Sequence, residues 1–159
     1  LMHTRRRLRG AGFDAYEISN YARPGEACRH NLMYWTGANY IGLGPSAASH
    51  VAGHRFRNKP HLWEWESSLS DDRLPLADVE QLDPERRRDE RLLLMLRLSS
   101  GVSYDAFGDC AAGEVRSLWR DRVARLTDLG LLTTDEHGFR LTERGIPLAD
   151  AIATEIVAG

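Results

Sequence analysis

Residues 113–142, GEVRSLWRDRVARLTDLGLLTTDEHGFRLT, decide the fold of the second half of the chain. Apolar residues recur there at helical spacing and predict a helix with one buried face, formed by Val115, Leu118, Trp119, Val123, Leu126 and Leu129. The residues after this helix alternate around His137 and Gly138, which predicts a β-hairpin with its turn at these two positions. A helix followed directly by a hairpin predicts an α+β domain.

The segment upstream of this stretch, DPERRRDERLLLMLRLSSG (residues 83–101), predicts another helix. Asp83 is typical of an N-cap, Pro84 of the first helical position and Gly101 of a helix end. Because the second half of the segment is almost continuously apolar, we expect this helix to be central to a core.

Two shorter segments complete the domain. SYDAFGD (residues 103–109) predicts a short helix or turn, and LADAIATEIVA (residues 148–158) predicts a closing helix. Pro147 predicts a restart or a kink where that last helix begins. The order helix, short helix, helix, hairpin, helix is typical of a winged-helix domain, here over residues 83–159.

The first part of the chain has a different pattern. HTRRRLRGAGF ends an exposed helix, FDAYEIS (residues 13–19) alternates as a strand does, and YIGLG (residues 40–44) is a second short apolar run. A helix followed by short strands predicts the tail of an α/β unit over residues 1–58. Residues 59–82 predict a connector that starts as a short helix carrying Trp63 and breaks at Ser70 to Pro75.

Composition and charge narrow the classes of function. Residues 1–59 carry a net charge of +6 and residues 60–159 one of −8, which predicts two functionally different halves. No apolar run approaches the ~20 residues of a membrane span. Two cysteines, Cys28 and Cys110, are too few for a disulfide framework and predict a cytoplasmic protein. The chain opens on Leu1, which predicts a truncated start.

The decapeptide CRHNLMYWTG, residues 28–37, carries the densest group of reactive and aromatic side chains. One interpretation is a structural loop whose Trp35 fills a core, and composition alone favours it. The other is a porphyrin site, with His30 or Tyr34 as axial donor to haem iron and Trp35 as flat apolar surface. The thiol of Cys28 is a further donor, although a loop cysteine without a function is the commoner case.

A second group of small residues follows in IGLGPSAASH, residues 41–50. Small side chains allow a backbone to approach a ligand closely, and this run contains Gly42, Gly44, Ser46 and Ala47. The alternative is a glycine-bearing strand end, because a lone GxG is a weak signal.

The helix of residues 114–129 offers a competing function, because it takes the place of a recognition helix and carries Arg116, Arg120, Arg122 and Arg125. Acidic residues interleave with these arginines, and this half of the chain is acidic overall. Since nucleic-acid binding relies on positive potential, we favour a solvated helix face and expect no nucleic-acid partner.

Two of these stretches, YEISNYARPGEACRHNLMYW (residues 16–35) and YIGLGPSAASH (residues 40–50), resemble the radical SAM proteins related to oxygen-independent coproporphyrinogen III oxidase. The closer resemblance is to the HemW-type haem chaperones, whose HNxxYW motif stands here as His30, Asn31, Tyr34 and Trp35. The resemblance implies an α/β plus α+β fold: the C-terminal piece of a partial (β/α) radical SAM barrel over residues 1–58, a connector over 59–82 and a HemN-type winged-helix-like domain over 83–159.

The resemblance also implies a function, which is to bind haem and deliver it to a haem-receiving protein. The four motif residues then bind haem, with His30 as a ligand of the iron, while the cofactor S-adenosylmethionine lies beside Gly42, Gly44, Ser46 and Ala47. The family's cluster-binding CxxxCxxC is absent here, so we expect S-adenosylmethionine and [4Fe–4S] in the full-length parent only and no radical chemistry from this chain alone. The alternative is the oxidase itself, acting in porphyrin biosynthesis, and a nucleic-acid-binding winged helix stands third.

Overall fold

The structure, a computed structural model, describes residues 1–108 and 112–158, so Cys110 lies outside the described residues. The chain divides into two compact units. The larger unit comprises residues 1–36 and 88–159, and the smaller unit comprises residues 37–87. This division differs from the predicted domain boundaries at 58/59 and 82/83, because residues 1–36 pack with the second half of the chain.

The predicted helices and hairpin of the second half are confirmed. The elements there are α4 (Pro84–Met95), β6 (Val102–Ser103), a 3-10 helix (Tyr104–Ala106), α5 (Ala112–Asp128), β7 (Leu132–Thr134), β8 (Gly138–Leu141), a second 3-10 helix (Ile146–Leu148) and α6 (Ala149–Val157). The strands form one antiparallel sheet in the order β6-β8-β7. Pro147 lies in the second 3-10 helix, and α6 restarts after it as predicted.

One side of α5 supplies the centre of the core. Trp119 is fully buried, and its ring meets those of Phe107 and Phe139 edge to face at 5.2 and 6.2 Å between centroids. The predicted buried face was wrong at Leu118 and Leu129, whose exposed fractions are 45% and 50%. At ~100° per residue, both positions lie beside the arc that the buried side chains of the helix occupy.

Helix α4 ends at Met95, earlier than the predicted stop at Gly101. The backbone beyond it is used differently, because the carbonyl oxygen of Arg97 accepts the N–H of Ile18 at 3.1 Å and Leu98 forms a β-bridge with Glu17. Partners distant in sequence therefore terminate this helix before its local stop signal.

The N-terminal elements of the larger unit are α1 (Met2–Gly10), β1 (Asp14–Ala15), β2 (Tyr21–Ala22) and α2 (Arg29–Trp35). The predicted strand over residues 13–19 was wrong beyond Ala15. The carboxylate of Glu17 accepts the N–H of Ser19 at 2.9 Å and the amide of Asn20 at 2.6 Å, so the chain turns there and β2 pairs back on β1. The expected loop at residues 28–37 is largely the helix α2.

The smaller unit is built on the antiparallel sheet β3-β4-β5, made of β3 (Ala48–Val51), β4 (His54–Asn58) and β5 (Leu76–Gln81), with α3 at Leu62–Ser70. The helix α3 is confirmed, but the expected connector also contains β5, which pairs along β4. Cross-strand pairs of Arg55 with Glu80 and of Arg57 with Asp78 accompany that pairing. None of the helices in the described ranges has the length and apolar character needed to cross a membrane.

Candidate functional site

Helix α2 divides the motif residues between two faces. Residues four apart lie one above the other on a helix, so His30 lies beside Tyr34, and Asn31 lies beside Trp35. We call His30 and Tyr34 the ligand pair and Asn31 and Trp35 the anchor pair. The two pairs are one residue out of phase, which separates them by ~100° around the helix.

The ligand pair is hydrogen-bonded within itself. The phenol oxygen of Tyr34 lies 3.0 Å from Nε2 of His30, and the two rings meet edge to face with centroids 5.1 Å apart. His30 is exposed and Tyr34 is half-buried. An imidazole nitrogen and a phenol oxygen are both ligands of haem iron in proteins, so the chemistry of this pair fits an approach of haem from solvent.

The anchor pair contacts the protein. Nδ2 of Asn31 donates a hydrogen bond to the phenol oxygen of Tyr16 at 3.1 Å. Trp35 packs against the main hydrophobic core, and the guanidinium carbon of Arg97 lies 4.9 Å from the centroid of its ring. The structural and the ligand-binding interpretations of CRHNLMYWTG therefore apply to different residues of the same helix.

The small-residue run, residues 41–50, lies in the smaller unit, and its backbone favours glycine at both Gly42 and Gly44. A Cβ atom at Gly42 would overlap the carbonyl oxygen of Ala48, and Gly44 has a φ of +95° that other residues rarely adopt. Side chains from the sheet hold the run. Asn58 donates to the carbonyl oxygens of Gly42 and Gly44 at 3.3 and 2.9 Å, and the hydroxyl of Ser49 accepts the N–H of Gly42 at 3.0 Å.

The apolar residues of YIGLG do not form the expected strand. Tyr40 makes an isolated bridge to His50, after which the chain leaves the sheet. Ile41 and Leu43 have exposed fractions of 70% and 89%, so this apolar run contributes little to a core in the described residues.

Comparison with known proteins identifies the family. Residues 82–148 match a protein-family model described as the HemN C-terminal domain. A Mycobacterium tuberculosis protein named "Heme chaperone HemW" is 39% identical over 95% of this chain and 37% of its own length. A Synechocystis protein of the same name is 41% identical over 64% of this chain and 25% of its own length. The solved structure of coproporphyrinogen III oxidase (HemN) from Escherichia coli is similar in fold, with a TM-score of 0.70 at 17% identity over 98% of this chain and 39% of that chain.

The chain corresponds to the C-terminal part of the HemW/HemN-type radical SAM family. The chain spans little more than a third of the length of the Mycobacterium relative. A bovine relative, named "Radical S-adenosyl methionine domain-containing protein 1, mitochondrial", is 29% identical over 95% of this chain and 37% of its own length. The resemblance drawn from YEISNYA, HNxxYW and YIGLGPSAASH is thus confirmed at the level of the family.

Two other kinds of binding site are a metal site built from protein side chains and a nucleic-acid-binding face on α5. Within the described ranges, no three His, Cys, Asp or Glu side chains are arranged to hold a metal ion. Three arginines of α5 are engaged by the protein itself. Arg116 and Arg122 donate to the carbonyl oxygens of Glu136 and Ile156, and Arg125 pairs with Glu155.

Two residues beside α2, Arg97 and its partner Glu17, were not predicted from the sequence. Glu17 has an exposed fraction of 0%, and Arg97 pairs with it at 2.8 Å between Nη2 and Oε1. Glu17 could have been noticed in the sequence, because in the alternation of FDAYEIS it falls on the same strand face as Phe13 and Ala15. A carboxylate at a position expected to be buried predicts a paired partner.

Proposed function

We propose that this chain carries the haem-binding helix of a HemW-type haem chaperone, which binds haem and delivers it to a haem-receiving protein. The observation that carries the proposal is the ligand pair: two side chains able to ligate iron, hydrogen-bonded at 3.0 Å on α2, with the imidazole exposed. The name shared by the Mycobacterium and Synechocystis relatives, "Heme chaperone HemW", supports it. Haem is the cargo in this proposal, and His30 or Tyr34 supplies the ligand to its iron.

The proposal assigns the remaining family cofactors to the full-length protein. In this proposal S-adenosylmethionine lies beside Gly42, Gly44, Ser46 and Ala47. Cys28 and Cys110 form no CxxxCxxC motif, so other cysteines of the full-length protein hold the [4Fe–4S] cluster. When both are bound, S-adenosylmethionine and the cluster would supply radical chemistry or stabilise the structure. In this proposal the small-residue run shapes one wall of the cofactor pocket.

The proposal also covers the fold. Residues 1–58 correspond to the end of a partial radical SAM barrel, residues 59–82 to a connector and residues 83–159 to a winged-helix-like domain. The order of α4, α5, the hairpin β7-β8 and α6 supports the assignment of residues 83–159, and the likeness to the Escherichia coli structure over 98% of this chain supports the mixed α/β content.

Titration of ferric haem into the full-length natural protein tests the function. Wild type, His30→Ala and Tyr34→Phe are compared by the Soret band and by haem affinity. Loss of the iron ligand should shift the band and weaken binding by about tenfold or more, which corresponds to ~1.4 kcal/mol. A change in only one variant assigns the ligand to that residue.

Matched controls come from the same unit. His137→Ala removes another exposed imidazole, and Tyr21→Phe removes a buried phenol oxygen that has no hydrogen-bond partner in the described residues. Both controls should bind haem as wild type does. If His30→Ala and Tyr34→Phe also retain wild-type affinity and spectrum, the motif is structural and the proposal is wrong.

The cofactor side is tested at Ala47. Replacing Ala47 with Leu places a bulky side chain in the small-residue run and should lower the affinity of the full-length protein for S-adenosylmethionine by about tenfold. Ala48→Leu is the control, because Ala48 is an exposed residue of β3. Unchanged binding by a folded Ala47→Leu protein, measured by calorimetry, would leave the run as a strand end only.

A further inference from the structure

Glu17 and Arg97 form a buried ionic contact under the motif helix. The carboxylate of Glu17 is fully buried, and its Oε1 accepts a hydrogen bond from Nε of Arg97 at 2.9 Å and forms an ion pair with Nη2 of Arg97 at 2.8 Å. Its Oε2 accepts the N–H of Ser19 and the amide of Asn20. Three hydrogen bonds and one ion pair therefore satisfy this charge, which is what a carboxylate removed from water requires.

Arg97 continues the contact to α2. Its guanidinium carbon lies 4.9 Å from the centroid of the Trp35 ring, a distance at which a cation is attracted to an aromatic face. Leu32 and Trp35 pack against the hydrophobic core beside it. Arg97 also lies 3.7 Å from Asp150, but that carboxylate is almost fully exposed and contributes little.

The YEISN segment holds α2 at a second point, because the phenol oxygen of Tyr16 accepts the hydrogen bond from Asn31. Consecutive residues, Tyr16 and Glu17, thus reach both members of the anchor pair, one directly and the other through Arg97. Since the anchor pair and the ligand pair share one short helix, fixing the first fixes the direction in which the second points.

We infer that Arg97 and Glu17 are positioning residues for haem: they hold α2 through Trp35 so that His30 and Tyr34 present their ligand atoms in one orientation. Arg97 lies within the region that matches the HemN C-terminal domain, residues 82–148. That domain then has a role of its own, as the platform on which the haem-binding helix is oriented. The effect on haem binding rests on the proposed function, whereas the effect on the orientation of α2 does not.

The test compares Arg97→Gln with Val123→Ala in the full-length natural protein. Val123 is a buried core residue of α5, so its truncation lowers stability while the contacts of Arg97 with Glu17 and Trp35 stay in place. Hydrogen exchange of residues 29–36 should be about tenfold faster in Arg97→Gln than in Val123→Ala at matched loss of unfolding temperature. Ferric haem should bind Arg97→Gln about tenfold more weakly and with a shifted Soret band, because the residues behind a metal ligand affect affinity on this scale.

A second variant separates positioning from stability. Arg97→Gln leaves the Glu17 carboxylate buried without its cation, and Glu17→Gln/Arg97→Gln removes that charge as well. The double variant should recover unfolding temperature while its α2 amides still exchange fast and its haem spectrum remains shifted, since glutamine is too short to cover the Trp35 ring.

The inference is overturned if α2 exchange and the haem spectrum in both Arg97 variants match those of Val123→Ala. If wild type binds no haem, the proposed function fails, and the exchange measurement alone decides whether Arg97 orients α2. If α2 exchange is unchanged while haem affinity still depends on His30, the proposed function stands and the positioning role is wrong.

Discussion

A Cβ atom at residue 138 would overlap the carbonyl oxygen of Val102, so Gly138 is required by the close approach of β6 to β8. We predict that Gly138→Ala lowers the free energy of unfolding by about 1–3 kcal/mol, as overpacking in a close-packed site does. Gly113→Ala is the control, because nothing lies within 4 Å of its Cβ position in α5 and alanine favours a helix. Urea denaturation of both variants checks this, and equal stability of Gly138→Ala and wild type would contradict the close approach.

Asp135 in the β7-β8 turn gives a prediction on pH. Its carboxylate accepts the backbone N–H groups of His137 and Gly138 at 2.8 and 3.0 Å, and these hydrogen bonds hold its pKa below the ordinary value of 3.8. A lowered native pKa means that the ionised carboxylate stabilises the fold above 3.8 and that this contribution disappears as the pH falls through the native pKa.

The Asp135→Asn variant should therefore be less stable than wild type at neutral pH, with the difference shrinking as the pH falls below 3.8. Unfolding midpoints measured across this range check the sign. Glu136→Gln removes a neighbouring exposed carboxylate that lies 3.5 Å from the His137 ring, and it should show no comparable convergence. A difference between Asp135→Asn and wild type that does not change with pH would contradict the assignment.

At the scale of the elements, the beginning of α4 offers a direct test of a motif recognised in the sequence. Asp83 precedes Pro84, and its Oδ1 accepts the N–H of Arg86 at 2.8 Å, as an N-cap does. Asp83→Ala should cost about 1 kcal/mol of stability. Asp128→Ala is the control, because Asp128 is the last residue of α5, where a carboxylate opposes the helix dipole. Equal effects of the two substitutions in urea denaturation would argue against the cap.

Elements that depend on local signals could be predicted from the sequence. The cap at Asp83, the apolar spacing of α5 and the alternation around Gly138 act within a few residues, and α4, α5 and the hairpin are all present. The elements that failed depend on distant partners. Residues 16–19 turn because the buried Glu17 collects donors from Asn20 and from Arg97, which is 80 residues away. The spacing of apolar residues carries no information about a pairing between residues this far apart in the sequence.

The candidate site shows the same limit. The HNxxYW residues were identified from the sequence, but their division between a ligand pair and an anchor pair follows from the phase of α2, a helix of seven residues without a side-chain cap. Short helices of this kind are stabilised by packing, here of Leu32 and Trp35 on the core, and not by propensity. Arg97 was visible only as one of many arginines.

At the scale of the whole molecule, residues 1–36 and 88–159 form one compact unit. The hydrophobic core of the region that matches the HemN C-terminal domain is completed by residues outside that region. Leu32 and Trp35 pack against the main core, and Ile18 forms a second cluster with Ile146 and Ala149. This packing predicts that residues 83–159 are less stable without residues 1–36. The division drawn from the sequence, with an autonomous domain at residues 83–159, predicts equal stability with and without them.

A fragment of residues 83–159 distinguishes the two divisions. We predict that it unfolds at a lower urea concentration than the whole chain, because it lacks the apolar side chains of Ile18, Leu32 and Trp35 and the carboxylate that pairs with Arg97. Arg97→Gln should cost about 3 kcal/mol in the whole chain, where it leaves a buried charge unpaired, and close to nothing in the fragment, where that charge is absent. An autonomous domain would instead keep its full stability as a fragment. In that case Arg97→Gln would have the same small effect in both proteins, and residues 1–36 would add nothing to the stability of residues 83–159.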